Sequence, residues 1–172
     1  PIVMAVASEP VANGFVTSLA RPGGNITGNT LLNVTLAGKR LELVKQALPK
    51  VSRVAILLNK DNALHAAEWK ETLVAAKMLS IDVQPFEVQG EAMFDEVFAR
   101  MVQGRVEALV LLEDAMFATE RVRLVTLAAK TRLPAVYGQR NSVDDGGLMS
   151  YGPSIVEMYR NAASFVDRIL KG

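Results

Sequence analysis

The acidic pair Glu113 and Asp114 directly follows ALVLL, the aliphatic run Ala108 to Leu112, so both carboxylates stand where a buried strand ends. Open α/β sheets bind ligands at the carboxyl ends of their strands. Asn59 ends the similar run RVAILL, and Tyr137-Gly138 ends PAVYG, so three strand ends deliver polar groups to one edge. A carboxylate at that edge can accept hydrogen bonds from a ligand ammonium. Tyr137 can offer an apolar or cation-π face, and Asn59 a neutral donor and acceptor. The same residues fit a second reading, in which Glu113 and Asp114 simply begin a helix at Ala115, where acids favour the positive end of the helix dipole. Spacing leaves both readings open.

Other chemistry has less to stand on. The single histidine, His65, sits in the first turn of an expected helix and reads as a surface or capping residue, since no second histidine can build a metal pair. No GxSxG elbow presents a nucleophile, and a further carboxylate pair, Asp144-Asp145, is adjacent in sequence, so its members point apart outside a turn. RPGGNITG, Arg21 to Gly28, lacks the spacing of a phosphate loop and follows a helix where such a loop follows a strand. Its glycines and Pro22 read as a helix stop. No catalytic residue, metal or cofactor is expected. Ser8-Glu9-Pro10 ends the first strand and suits a helix start, with Pro10 in the first turn. Trp69 lies beyond the first turn of its helix and reads as a packing residue.

The elements that would position these groups alternate along the whole chain: short aliphatic runs, then amphipathic stretches. That is the pattern of parallel α/β architecture. The expected strands are 2–7, 26–32, 53–58, 81–88, 108–112, 135–137 and 148–151, and the expected helices 11–20, 36–48, 63–79, 92–102, 117–131 and 154–170. RVAILL and ALVLL lack alternation, so each is buried on both faces, whereas Pro85 argues for an edge strand. Glycine and proline gather at 21–28 and 146–153, which divides the chain into 1–32, 33–147 and 148–172. The last helix carries a broad apolar face, including Ile155, Tyr159, Phe165, Val166 and Ile169, that requires a cover.

Composition removes several classes. The 19 basic and 18 acidic side chains give a net charge of +1 and are interspersed, so no nucleic-acid footprint exists. The absence of cysteine excludes disulfides and thiolate chemistry but does not fix a compartment. Pro1 opens directly into PIVMAVA with no polar leader ahead of it, which reads as a truncated start.

Taken in order, RPGGNITG, the paired Tyr-Gly strand ends of LPAVYGQRNSVDDGGLMSYGP and the long helix after Pro153 resemble the solute-binding components of ABC transporters, of the kind associated with uptake of tryptophan or other amino acids. The resemblance covers Pro1 to Gly172. It implies a periplasmic-binding-protein type I fold, a Rossmann-like parallel sheet flanked by helices, with one lobe complete and the other partial. Residues 1–32 would end the N-terminal lobe, 33–147 would form the ligand-binding C-terminal lobe, and 148–172 would be a crossover strand and helix returning to the first. The implied function is non-enzymatic: a small solute, an amino acid, is bound in a cleft between lobes and delivered to a membrane permease. The implied location is periplasmic, or extracellular and lipid-anchored. The implied ligand-binding residues are Ser8, Glu9, Asn59, Glu113, Asp114, Tyr137, Gly138 and Tyr151. Relatives commonly have Gly-Asp-Pro where this chain has Ser8-Glu9-Pro10, which keeps the acid and loses the glycine. A fragment of these residues alone is expected to dimerise or swap segments through 154–170. The competing readings are an effector-sensing domain of a transcription regulator and a nucleotide- or sugar-dependent enzyme domain of Rossmann or flavodoxin-like fold. The enzyme reading requires a glycine fingerprint after the first strand, and Ala7-Ser8-Glu9-Pro10 is not one.

Overall fold

Unbroken aliphatic runs, whose successive side chains point to opposite faces, build the larger of two units, Asn33–Gly152, in the computed structural model, which describes all residues from Pro1 to Gly172. Strand β3 (Arg53–Asn59) sends Ala55 and Leu57 to one face and Val54, Ile56 and Leu58 to the other. Strand β5 (Ala108–Leu111) divides in the same way, Leu109 and Leu111 against Ala108 and Val110. Both faces are therefore core, as unbroken aliphatic strands require. Helices α1 (Asn33–Ala47) and α2 (His65–Leu79) cover one face; α3 (Phe94–Gln103), α4 (Ala115–Thr119) and α5 (Arg121–Thr131) cover the other.

The sheet has five strands in the order β4-β3-β5-β6-β7, with β4 at Asp82–Val88, β6 at Ala135–Tyr137 and β7 at Met149–Ser150, and every pairing is parallel. Pro85 lies on the edge strand β4, where its missing N–H breaks no ladder. A parallel sheet puts all its carboxyl ends along one edge.

The smaller unit, Pro1–Leu32 with Pro153–Gly172, holds the parallel pair β1 (Ile2–Ser8) and β2 (Ile26–Leu31) and helix α7 (Ile155–Lys171). Met158 and Ala162 are the buried side chains of α7, and Asn29 ties β2 to both neighbours, its Nδ2 donating to the carbonyls of Ala5 (3.2 Å) and Met158 (2.8 Å). Val156, Tyr159, Val166, Ile169 and Leu170 form an exposed apolar stripe.

Several elements differ from expectation. Residues 11–20 form turns and bends instead of a helix: Asn13 N donates to the Glu9 carbonyl, but Gly14 at φ +72° ends the winding after one turn. The expected helix 117–131 is broken at Glu120 into α4 and α5. Helix α1 starts three residues early, and the polar loop after β6 contains the short helix α6 (Asn141–Asp144). The segment 148–152 belongs to the larger unit, since β7 pairs with β6 through Val136↔Met149 and Tyr137↔Ser150. Hydrogen bonding of a fifth strand, delivered by the Gly146-Gly147 turn, outweighs the boundary that the glycine cluster suggests.

Candidate functional site

Asn59, Glu113, Asp114, Tyr137, Gly138 and Tyr151 all arrive at the carboxyl edge of the five-stranded sheet, because each ends a parallel strand or follows one within three residues. Ser8 and Glu9 belong to the smaller unit. There Asn13 Nδ2 donates to the Ser8 carbonyl at 2.9 Å, and Glu9 is held at φ +47°.

Asp114 is first a helix cap. Its Oδ1 accepts from Met116 N at 2.8 Å, and its Oδ2 accepts from Asn59 Nδ2 at 3.2 Å and Asn62 Nδ2 at 2.9 Å. Asn59 is similarly engaged, since its Oδ1 accepts from Asp61 N at 3.0 Å. The helix-start reading of the acidic pair therefore describes Asp114 well. It does not describe Glu113.

Glu113 turns a side chain that is 16% exposed toward the edge. Its Oε2 accepts from Gln139 Nε2 at 3.0 Å, while Oε1 lies 3.8 Å from the Arg40 guanidinium without a hydrogen bond. Gly138 makes this geometry possible, because a β-carbon there would collide with the Glu113 carboxylate. A shallow pocket beside it is lined by Glu113, Asp114, Phe117, Arg121, Gln139 and Ser142.

Tyr137 departs from the expected role. Its ring lies in the core at 3% exposure, and burial pushes the phenol up to about 12. Side chains alternate across a strand, and the face that Tyr137 shares with Ala135 is the one covered by α3 and α5. Its carbonyl accepts from Tyr151 N at 2.8 Å, while Tyr151 itself, 38% exposed, lines a groove with Leu36, Lys39 and Glu42 of α1 and Val74 and Met78 of α2, apart from the pocket beside Glu113.

His65 is also not the surface residue expected from its place at a helix start, since it is 2% exposed. Asn59 N donates to Nδ1 at 2.9 Å, which makes that nitrogen the acceptor and leaves Nε2–H to donate to the Glu113 carbonyl at 3.0 Å. The imidazole thus ties the end of β3 to the end of β5. It fixes the backbone from which Glu113 projects.

Arg40 on α1 and Glu68 on α2 are fully buried beneath this edge. Arg40 Nε donates to the Tyr151 carbonyl at 2.9 Å. Burial holds the guanidinium below its ordinary value, against the opposing charges of Glu113 and Glu68. Burial likewise pushes the Glu68 carboxyl up to about 7, with Arg40 pulling it down and Glu113 pushing it up.

Sequence reasoning missed Arg40, Glu68, Asn62 and Gln139, although a signal for Glu68 existed. His65, Glu68, Thr72 and Ala76 are the buried residues of α2, on one helical stripe, whereas Leu73, Val74 and Met78 are exposed. A helix that turns polar residues inward covers a polar site, and reading only its apolar periodicity hides that face. No group of three or more His, Cys, Asp or Glu side chains gathers to hold a metal ion. No helix is long and apolar enough to cross a membrane.

Comparison with known proteins places the geometry in context. A family model described as ABC transporter substrate binding protein matches residues 1–172. A tyrosine-binding protein of Clostridioides difficile (strain R20291) is 23% identical over 172 residues, which are 100% of this chain and 49% of that protein. Among solved structures, an ABC domain in complex with L-Trp from Streptococcus pneumonia superposes with a TM-score of 0.82 at 23% identity, over 100% of this chain and 59% of that one. A conserved domain protein from Vibrio cholerae gives a TM-score of 0.80 at 21% identity, over 95% of this chain and 54% of that one. These likenesses establish the fold, that of type I periplasmic binding proteins. The chain spans about half the length of the curated relative it matches.

Proposed function

The chain belongs to the ABC transporter substrate-binding protein family, one of solute binding and not of catalysis, and we propose that it holds the ammonium group of an amino acid on Glu113. The observation that carries this reading is the Glu113 carboxylate itself. It stands at the carboxyl edge of a parallel sheet, partly exposed, with one oxygen free of hydrogen bonds and a glycine clearing its path. Gln139 supplies a neutral amide at the same edge.

Related proteins support an amino acid as the solute class: one relative is called tyrosine-binding, and one similar structure contains L-Trp. Asp114, Asn59 and Gly138 serve the site by shaping it. Solute binding shifts the protein toward a closed form that a membrane permease receives, at the extracellular or periplasmic side where this family works.

Titration calorimetry of the full-length protein against the proteinogenic amino acids tests the proposal. The expected result is saturable binding of an aromatic amino acid and a loss of tenfold or more in Glu113→Ala, on the order of one charge-assisted hydrogen bond. Unchanged affinity in Glu113→Ala overturns the site.

A further inference from the structure

Two fully buried charged side chains below the candidate site have polar atoms that nothing in the chain satisfies. Arg40 Nη1 and Nη2 find no hydrogen-bond acceptor, and neither carboxylate oxygen of Glu68 finds a donor. Burial of unpaired polar groups is costly, so their retention calls for a role. They lie on the two packed helices α1 and α2, each within the other's electrostatic influence, where Gly38 lets the helices approach until a β-carbon would stand 3.3 Å from Ala75 Cβ. The charged groups that face Glu68 are Arg40 from α1 and Glu113 and Asp114 from the loop after β5, with His65 one turn earlier on its own helix.

Arg40 touches two parts of the site. Its Nε holds the Tyr151 carbonyl at 2.9 Å, and its Nη2 lies 3.8 Å from Glu113 Oε1. We infer that Arg40 is a positioning residue for the Glu113 carboxylate, and that Glu68, by sharing the charge of Arg40, sets how strongly Glu113 attracts the ammonium of a bound solute. The inference rests on Glu113 as the solute's receptor. With Glu68 ionised, one guanidinium serves two carboxylates and the cluster keeps a negative charge for a ligand cation. With Glu68 protonated, Arg40 neutralises Glu113 alone and the cluster has no charge to offer. Since burial pushes Glu68 up to about 7, both states are reached near neutral pH.

By linkage, anything that removes the charge of Glu113 must also change the titration of Glu68. Carboxyl ¹³C NMR of the full-length protein follows that titration without any solute. Glu113→Gln should lower the Glu68 midpoint, and Arg40→Met should raise it. Should Arg40→Met fail to fold, Glu113→Gln alone decides, and an unmoved midpoint overturns the coupling.

The second arm measures affinity for L-tyrosine and L-tryptophan at pH 6 and pH 8. Wild type should bind roughly fivefold more tightly at pH 8, and Glu68→Gln should show no such gain. A purely structural role for Glu68 would weaken binding equally at both values, and the same pH profile in wild type and Glu68→Gln overturns the inference. If neither amino acid binds wild type, the solute class falls, while the NMR midpoints still decide the coupling between Glu68, Arg40 and Glu113.

Discussion

Gly138 lies so close to the Glu113 carboxylate that a β-carbon on residue 138 would occupy the space of Oε1. The contact joins the ends of two neighbouring strands, β5 and β6, and leaves the carboxylate at the sheet edge. Gly138→Ala should therefore displace Glu113, which can swing away because it is the far end of a flexible side chain. Stability should fall by less than about 1 kcal/mol while amino-acid affinity falls tenfold or more. Urea unfolding and calorimetry on one preparation separate the two effects, and a variant that loses stability but keeps affinity would contradict the placement of Glu113.

Gly152 presents the opposite case. A β-carbon there would overlap the Gly138 carbonyl, a backbone atom fixed by the strand pairing of β6 with β7. Backbone yields less readily than a side chain tip. Gly152→Ala should cost about 2–3 kcal/mol in denaturant unfolding, clearly more than Gly138→Ala.

Asp114 collects donors from three places, Met116 N, Asn59 Nδ2 and Asn62 Nδ2. Asp114→Ala removes the cap of α4 and leaves two part-buried amides without their acceptor. A loss of about 2 kcal/mol is expected, and Asp114→Asn, which retains one acceptor oxygen for the cap, should lose about half of that. Equal losses in the two variants would show that the cap contributes nothing.

Glu68 gives stability a pH dependence of unusual sign. Its carboxyl holds a proton up to about 7 in the folded chain, against 4.5 as its ordinary value. The folded state therefore binds the extra proton between these values, and its stability falls as pH rises from about 4.5 to 7, then levels off. The full loss is on the order of 3 kcal/mol. Glu68→Gln should remove this slope, so that unfolding free energies at pH 5 and pH 8 differ less than in wild type. An unchanged slope in the variant would assign the pH dependence elsewhere.

The parallel sheet and its site edge were legible because they rest on local pattern. RVAILL and ALVLL have no alternation, and the structure buries β3 and β5 on both faces. Pro85 marked an edge strand, and β4 is one. Glu113 and Asn59 could be located at strand ends because chain order alone fixes which residue follows a strand. The helix expected at 11–20 failed for a reason equally local, since Gly14 supplies the positive φ that ends its first turn. The placement of 148–152 failed for a reason that is not local: two residues of β7 gain their position only by pairing with β6.

The division of labour between Glu113 and Asp114 shows where sequence reading stops. Two adjacent acids have the same local signals, yet one is absorbed by a helix cap and two asparagines while the other keeps one oxygen without a hydrogen bond at the sheet edge. By itself the sequence determined the α/β class, the buried strands and the resemblance to solute-binding proteins, because aliphatic periodicity and glycine-proline punctuation act over a few residues. Only the tertiary structure decided that Tyr137 is core, that His65 ties two strand ends, and that Arg40 and Glu68 are both buried beneath the edge that carries Glu113. Those facts depend on which face of each element is covered and on charges that meet from distant segments, and helix packing and burial set both.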